Sequence, residues 1–207
     1  MEIKNFIRQL LNYFFRGNNL FLTYLSALRN HNQIIISKKT DLKKCKFHIS
    51  GSNNKIIIGD NCSLNSVVFY MNNNNSVIVG NDVIVNANED CPTRLNACDG
   101  CSITIGDGCL FSNNIEIHTT DYHPIYQGTE MVNKPKSVII GEHSWVGLRT
   151  VILKGVELAP NTIVGACSLV SSSTLNQNTS IAGCPAREIK NGITWKFSKR
   201  EMINVQK

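Results

Sequence analysis

The sequence has no apolar run long enough to cross a bilayer. Its most apolar stretch, near the N-terminus, is interrupted by Arg8, Asn12, Arg16 and Asn18, whereas a spanning helix needs about 20 apolar residues in a row. It has no stripe of Lys and Arg interleaved with aromatics, so an extended nucleic-acid surface is not expected and no nucleic acid is assigned as a partner. No cleavable leader precedes the eight cysteines, and the chain is longer than small disulfide-stapled scaffolds, which predicts free thiols in a reducing cytoplasm. Histidine is missing from the whole stretch 49–117. At 207 residues and 42% hydrophobic content there is room for one core with small terminal elements, but not for a second full domain.

Among what is present, 21 Lys and Arg against 15 Asp and Glu leave a net charge of +6, which permits a phosphate-bearing ligand or an acidic glycan without requiring either. In the N-terminal segment 1–30, Ile3, Phe6, Ile7, Leu10, Leu11 and Phe14 recur at helical spacing. They predict an amphipathic helix that packs on the domain or on a sister subunit, with peripheral membrane contact as the lesser reading.

The dominant signal is a period of six. Ile140, Val146, Ile152, Leu158, Val164 and Val170 stand six apart, and Gly141, Ser144, Gly147, Thr150, Ala159, Thr162, Gly165 and Ser168 supply small residues directly after the aliphatic or four places on. Shorter blocks run from Ile58-Gly59 to Leu64, from Val79-Gly80 to Val85, and from Ile105-Gly106 through Phe111 to Ile117. A unit of six makes a short strand and a turn, and three units close a triangular coil of 18 residues whose aliphatics stack as inward ladders. The fold class is therefore all-β, a parallel β-helix over 31–185.

Cys62 and Cys109 fall in the small-residue slot, four after Ile58 and Ile105, and read as packing residues. The Asn clusters at 53–54, 72–75 and 113–114 suit coil corners, because Asn tolerates the left-handed backbone region. Three segments break the pattern: a Cys- and Pro-containing insertion at 86–101, a protruding loop at 118–137, and everything from 183 onward. After Val170 the register is expected to slip by one residue, with Leu175 as the next aliphatic. The tail 186–207 reads as a short basic helix.

Chemistry is expected in the long loop, His118-Thr-Thr-Asp121-Tyr122-His123-Pro-Ile-Tyr126, which concentrates two of the five histidines and a carboxylate. Moving an acyl group to a hydroxyl needs a base that titrates near neutrality, which histidine supplies untuned. His123 is the candidate base, Asp121 the candidate for fixing its tautomer, and His118 and Tyr122 are candidates for substrate contact. Gly147 and Gly165, 18 apart, should stack on one edge and offer bare backbone to a thin ligand arm.

The strings Ile140-Gly-Glu-His-Ser-Trp-Val-Gly, Val151-Ile-Leu-Lys-Gly-Val, Val164-Gly-Ala-Cys-Ser and Ala182-Gly-Cys-Pro-Ala-Arg resemble the hexapeptide-repeat acetyltransferases over about residues 47–195. The Asp121-x-His123-Pro-Ile loop and Trp145 are similar to the polysaccharide O-acetyltransferases of capsule, polysialic acid and lipopolysaccharide clusters. The resemblance implies a left-handed wind, a homotrimer with active sites between subunits, a glycan acceptor, acetyl-CoA as co-substrate and no required metal. It implies that Trp145 stands beside the thioester or acceptor, that Ala166 and Ser171 line the pantetheine arm, and that Arg187 and Lys190 reach the nucleotide phosphates. Cys167 and Cys184 depart from the usual pattern; the first replaces a glycine.

Alternatives stay open at this point. They are an N-acyltransferase of a nucleotide-linked amino sugar, a scaffold with a decayed site, and a zinc enzyme of the gamma-type carbonic anhydrase kind suggested by His118-x4-His123, which lacks its third histidine. Cys91, Cys98, Cys101 and Cys109 could together hold structural zinc, although their spacing is loose.

Overall fold

In the computed structural model, which describes residues 30–196, the chain winds into a triangular prism of parallel strands. The first coil is β1 (Gln33–Ile36), β2 (Asp41–Lys43) and β3 (Lys46–Ile49), the second β4 (Lys55–Ile58), β5 (Ser63–Asn65) and β6 (Val67–Met71). The third is β7 (Ser76–Val79), β8 (Ile84–Asn86) and β9 (Thr93–Ala97), and the fourth β10 (Ser102–Ile105), β11 (Leu110–Phe111) and β12 (Glu116–His118). A loop with a small hairpin, β13 (Tyr126–Gln127) and β14 (Glu130–Met131), follows. Then come β15 (Val138–Ile140), β16 (Trp145–Val146) and β17 (Val151–Ile152), and β18 (Glu157–Leu158), β19 (Ile163–Val164) and β20 (Leu169–Val170). A terminal hairpin, β21 (Thr179–Gly183) and β22 (Ala186–Asn191), closes the described region. The strands form three faces, ordered β1-β4-β7-β10-β15-β18, β2-β5-β8-β11-β16-β19-β21-β22 and β3-β6-β9-β12-β17-β20.

Every face sends an aliphatic or aromatic ladder inward where the six-residue rhythm places it, and the first face adds a second, Ile56, Val77, Ile103 and Val138. Ile58, Val79, Ile105, Ile140 and Leu158 stack on the first face, Leu42 through Phe111 to Val164 and Ile181 on the second, and Phe47, Phe69, Leu95, Ile117, Ile152 and Val170 on the third, all buried. Phe47 and Phe69 stack face to face at 4.7 Å. Burying one such side chain contributes about 1.5 to 3 kcal/mol, so the ladders are the main source of stability.

The corners follow the expectation for Asn: Asn53, Asn61, Asn74, Asn114, Asn161 and Asn178 all take left-handed backbone angles, with φ between 56° and 60°. Asn32, Asn54 and Asn75 form a buried ladder in which each side-chain oxygen accepts backbone amides of the next coil, as in Asn75 N–H to Asn54 Oδ1 at 2.9 Å. The small-residue slot on the second face runs Thr40, Cys62, Val83, Cys109, Ser144, Thr162, Thr179, with the Cys109 thiol donating to Gly141 O at 3.3 Å. Burial pushes the Cys109 thiol up to about 12, as befits a packing residue.

Four sequence expectations are corrected. Only 87–92 lies outside strands in the proposed 86–101 insertion before Cys98, because Thr93–Ala97 pairs on the third face and turns Leu95 inward. Leu175 does not resume the ladder: it is 93% exposed, and Thr174 instead meets the first face, its hydroxyl accepting from Ala159 N–H at 2.7 Å. Residues 186–191 are a strand rather than part of a helix, because the open edge of β21 offers backbone partners that a solvated helical turn lacks. Cys98 and Cys101 spend their thiols on the carbonyls of Tyr70 and Asp99, and among the described residues no three His, Cys, Asp or Glu converge as metal ligands. The N-terminal helix and the tail beyond 196 lie outside the described residues.

Candidate active site

The loop after β12 is tied down at both ends on the corner between the third and first faces. Lys136 N–H donates to Thr119 O at 2.9 Å, and Gly155 N–H to Ser137 O at 3.1 Å. Inside the loop Asn133 is the hub: its amide nitrogen donates to Asp121 Oδ2 and to His123 O, both at 2.9 Å, and its oxygen accepts from Ile125 N at 2.6 Å. Lys154 fastens this unit to the prism through Asp121 Oδ2 and, at 2.7 Å, Asn133 O.

The Asp121 carboxylate is held below the usual range first by the Lys154 hydrogen bond and then by that from Asn133. It is therefore committed to the loop's anchorage. Its direct link to His123 is through backbone, His123 N–H to Asp121 O at 2.8 Å, and among the described residues no hydrogen bond joins the carboxylate to the imidazole as expected. His123 is exposed. Its imidazole makes no hydrogen bond among the described residues and is free to meet a substrate.

Tyr122 and His118 do come together. Tyr122 has φ +63°, a conformation that is a genuine outlier for a bulky side chain. The phenol lies 3.4 Å from His118 Nδ1, while His118 Nε2 sits 3.2 Å from Glu116 Oε2. Burial raises the Tyr122 pKa, keeping it a neutral donor.

Trp145 points outward from the second face at 39% exposure. A residue that the periodicity could not flag packs beside it: the Trp195 ring stacks on His143 at 4.5 Å, approaches Trp145 at 6.1 Å, and its indole N–H donates to His143 O at 2.8 Å. The sequence hint was an aromatic pair, Trp195 and Phe197, in a charged tail. Trp145 and the His123 loop thus belong to different sides of one prism.

Gly147 and Gly165 stack as expected, but the reason for glycine is the coil above. A Cβ on Gly147 would lie 2.7 Å from Ala166 N, and one on Gly165 would lie 2.7 Å from Ala182 Cβ. Their own amides are spent on Val164 O and Ile181 O. The amides of Leu148 and Ala166 at this corner have no acceptor among the described residues, and Ala166 and Cys167 are exposed. Cys167 has φ +58°, which accounts for the glycine usual there. Ser171 is exposed across strand β20 from Ala166. Arg187 lines a cavity of about 330 Å3 with Ser172 and Thr174, and Lys190 is exposed on the same strand.

No family model matches the chain. It is 32% identical over 184 residues, 80% of its length and 86% of the relative's, to a polysialic acid O-acetyltransferase of Neisseria meningitidis. It is 29% identical to the galactoside O-acetyltransferase of Escherichia coli K12, over 64% of this chain and 62% of that one. Among solved structures, the polysialic acid O-acetyltransferase OatWY superposes with a TM-score of 0.61 at 31% identity, covering 84% of this chain and 92% of the other. Solenoid and loop define an acetyltransferase of the hexapeptide-repeat class. The chain belongs to the family of the polysialic acid O-acetyltransferases, within the left-handed parallel β-helix acetyltransferases.

Proposed function

We propose that this protein transfers the acetyl group of acetyl-CoA to a sugar hydroxyl of a cell-surface polysaccharide or its precursor, with His123 as general base. The observation that carries the reading is an imidazole on an anchored loop with no hydrogen-bond partner among the described residues, in a chain 32% identical to a polysialic acid O-acetyltransferase. His123 removes the hydroxyl proton as the oxygen attacks the thioester carbonyl. The carbon–sulfur bond then breaks, and the imidazolium returns its proton to the departing thiolate. The Leu148 and Ala166 amides, unpaired beside Gly147, are the donors suited to the oxyanion. Exposed Ala166, Ser171, Arg187 and Lys190 suit a thin carrier arm ending in phosphates, and no step calls for a metal.

His123 and Trp145 sit on different sides of one prism, so a homotrimer in which the loop of one copy faces Trp145 of the next would complete the site. The eight free thiols suit action in the cytoplasm. Release of CoA from acetyl-CoA, measured with and without a glycan acceptor, tests the reading. His123→Ala should abolish acceptor-dependent release; full turnover in that variant together with loss in His118→Ala would reverse the assignment.

A further inference from the structure

A second set of linked side chains lies at the base of the loop, on the outer surface of the third face, and the chemistry at His123 does not use it. Glu116 and His118 flank the buried Ile117 on β12, so the strand period of two sends both outward. Parallel pairing puts Arg94 of β9 in register with Glu116, one coil away. Arg94 Nη1 donates to Glu116 Oε1 at 3.1 Å, His118 Nε2 lies 3.2 Å from Glu116 Oε2, and the Tyr122 hydroxyl lies 3.4 Å from His118 Nδ1. The Tyr122 and His118 rings meet edge-on, with 86° between their planes.

Proton counting fixes the direction of each of these bonds. A carboxylate has acceptors alone, so the imidazole nitrogen that meets Glu116 carries the hydrogen. A neutral imidazole has one N–H, which leaves Nδ1 bare and able only to accept. The phenol therefore donates to Nδ1, and burial keeps its proton in place by raising the Tyr122 pKa. With that proton committed, the Tyr122 oxygen has only lone pairs to offer a ligand, and no hydrogen bond from the described residues reaches them. Tyr122 and Arg94 both line an open cavity of about 700 Å3.

We propose that Arg94, Glu116 and His118 are positioning residues that hold the Tyr122 hydroxyl with its lone pairs toward the acceptor. They thereby select sugars that carry a hydrogen-bond donor, a hydroxyl or an amide N–H, besides the hydroxyl that is acetylated. The inference rests on the reading of the chain as a glycan O-acetyltransferase and adds a specificity-determining contact to it. Polysialic acid is the probe, with the full-length protein and CoA release as the rate. Tyr122→Phe should raise KM for the glycan by about three- to tenfold, the net worth of one hydrogen bond, while kcat and KM for acetyl-CoA hold. His118→Ala should shift the same constant, and the double variant should lose no more than the larger single loss, because the imidazole acts through the phenol. Long-range proton–nitrogen NMR at about pH 8, above the ordinary histidine value, should show His118 as the Nε2–H tautomer, its signals assigned by their loss in His118→Ala. Glu116→Ala should abolish that preference. The Nε2–H tautomer in a wild type that acetylates no glycan leaves the positioning chain standing while defeating the acyltransfer reading. An Nδ1–H tautomer, a wild-type KM in Tyr122→Phe, or losses that multiply in the double variant overturn the proposal.

Discussion

Two neighbouring residues on the loop have different company: Tyr122, at a left-handed backbone angle, reaches His118, whereas the His123 imidazole makes no hydrogen bond among the described residues. Tyr122→Gly would relax that angle and remove the phenol. It should lower kcat/KM while changing the unfolding free energy by no more than about 1 kcal/mol, as checked by kinetics beside calorimetry. Asp121 makes a pH prediction with a definite sign. Its carboxyl is depressed by Lys154 and Asn133, so the anchorage it supplies is complete above the ordinary carboxylate value of 3.8 and is lost as the pH falls through the lowered value. Amide exchange in the loop should quicken selectively on that acid limb. Thiols should divide by depth: Cys167 and Cys184 are exposed, while Cys45, Cys62 and Cys109 are buried with raised pKa. Alkylation of the native protein followed by mass mapping should mark the first pair long before the other three.

At the scale of elements, Lys154 joins the loop to the prism from outside both. Lys154→Met keeps the stem and removes the charge, and should reduce turnover while leaving the melting temperature near wild type, since the ladders are untouched. The segment after β22 does comparable work for Trp145. Trp195→Ala should release His143 and Trp145 together, and because the protein has only two tryptophans, their near-ultraviolet circular dichroism reports the loss directly. The elements that periodicity located correctly are those whose inward residue is aliphatic and whose corner residue is small or Asn. It missed β9, where Thr93 and Arg94 disguise a strand with only Leu95 as a strong marker, and Leu175, offered as the next rung only by letting the register slip by one residue, is exposed instead. β22 was read as helix because Ala186–Asn191 is locally charged and helix-compatible; its pairing with β21 is a contact that the segment itself does not encode.

For the whole molecule, stability should track the ladders. Ile152→Ala, at a fully buried rung, should cost about 2 to 5 kcal/mol by denaturant titration, whereas a change at an outward position of the same face should not. If two copies build each site, inactive His123→Ala and Trp145→Ala chains refolded together should regain turnover that neither shows alone. The six-residue rhythm by itself determined the solenoid, an inward ladder on each of its three faces, the Asn corners and the loop that carries His123, because each depends on a local pattern repeated until stacking is unavoidable. The anchorage of that loop by Lys154, the diversion of Asp121 from His123 and the Trp195 packing were decided only by the tertiary structure. They join residues tens of positions apart through side chains that point away from the core, where no period constrains them.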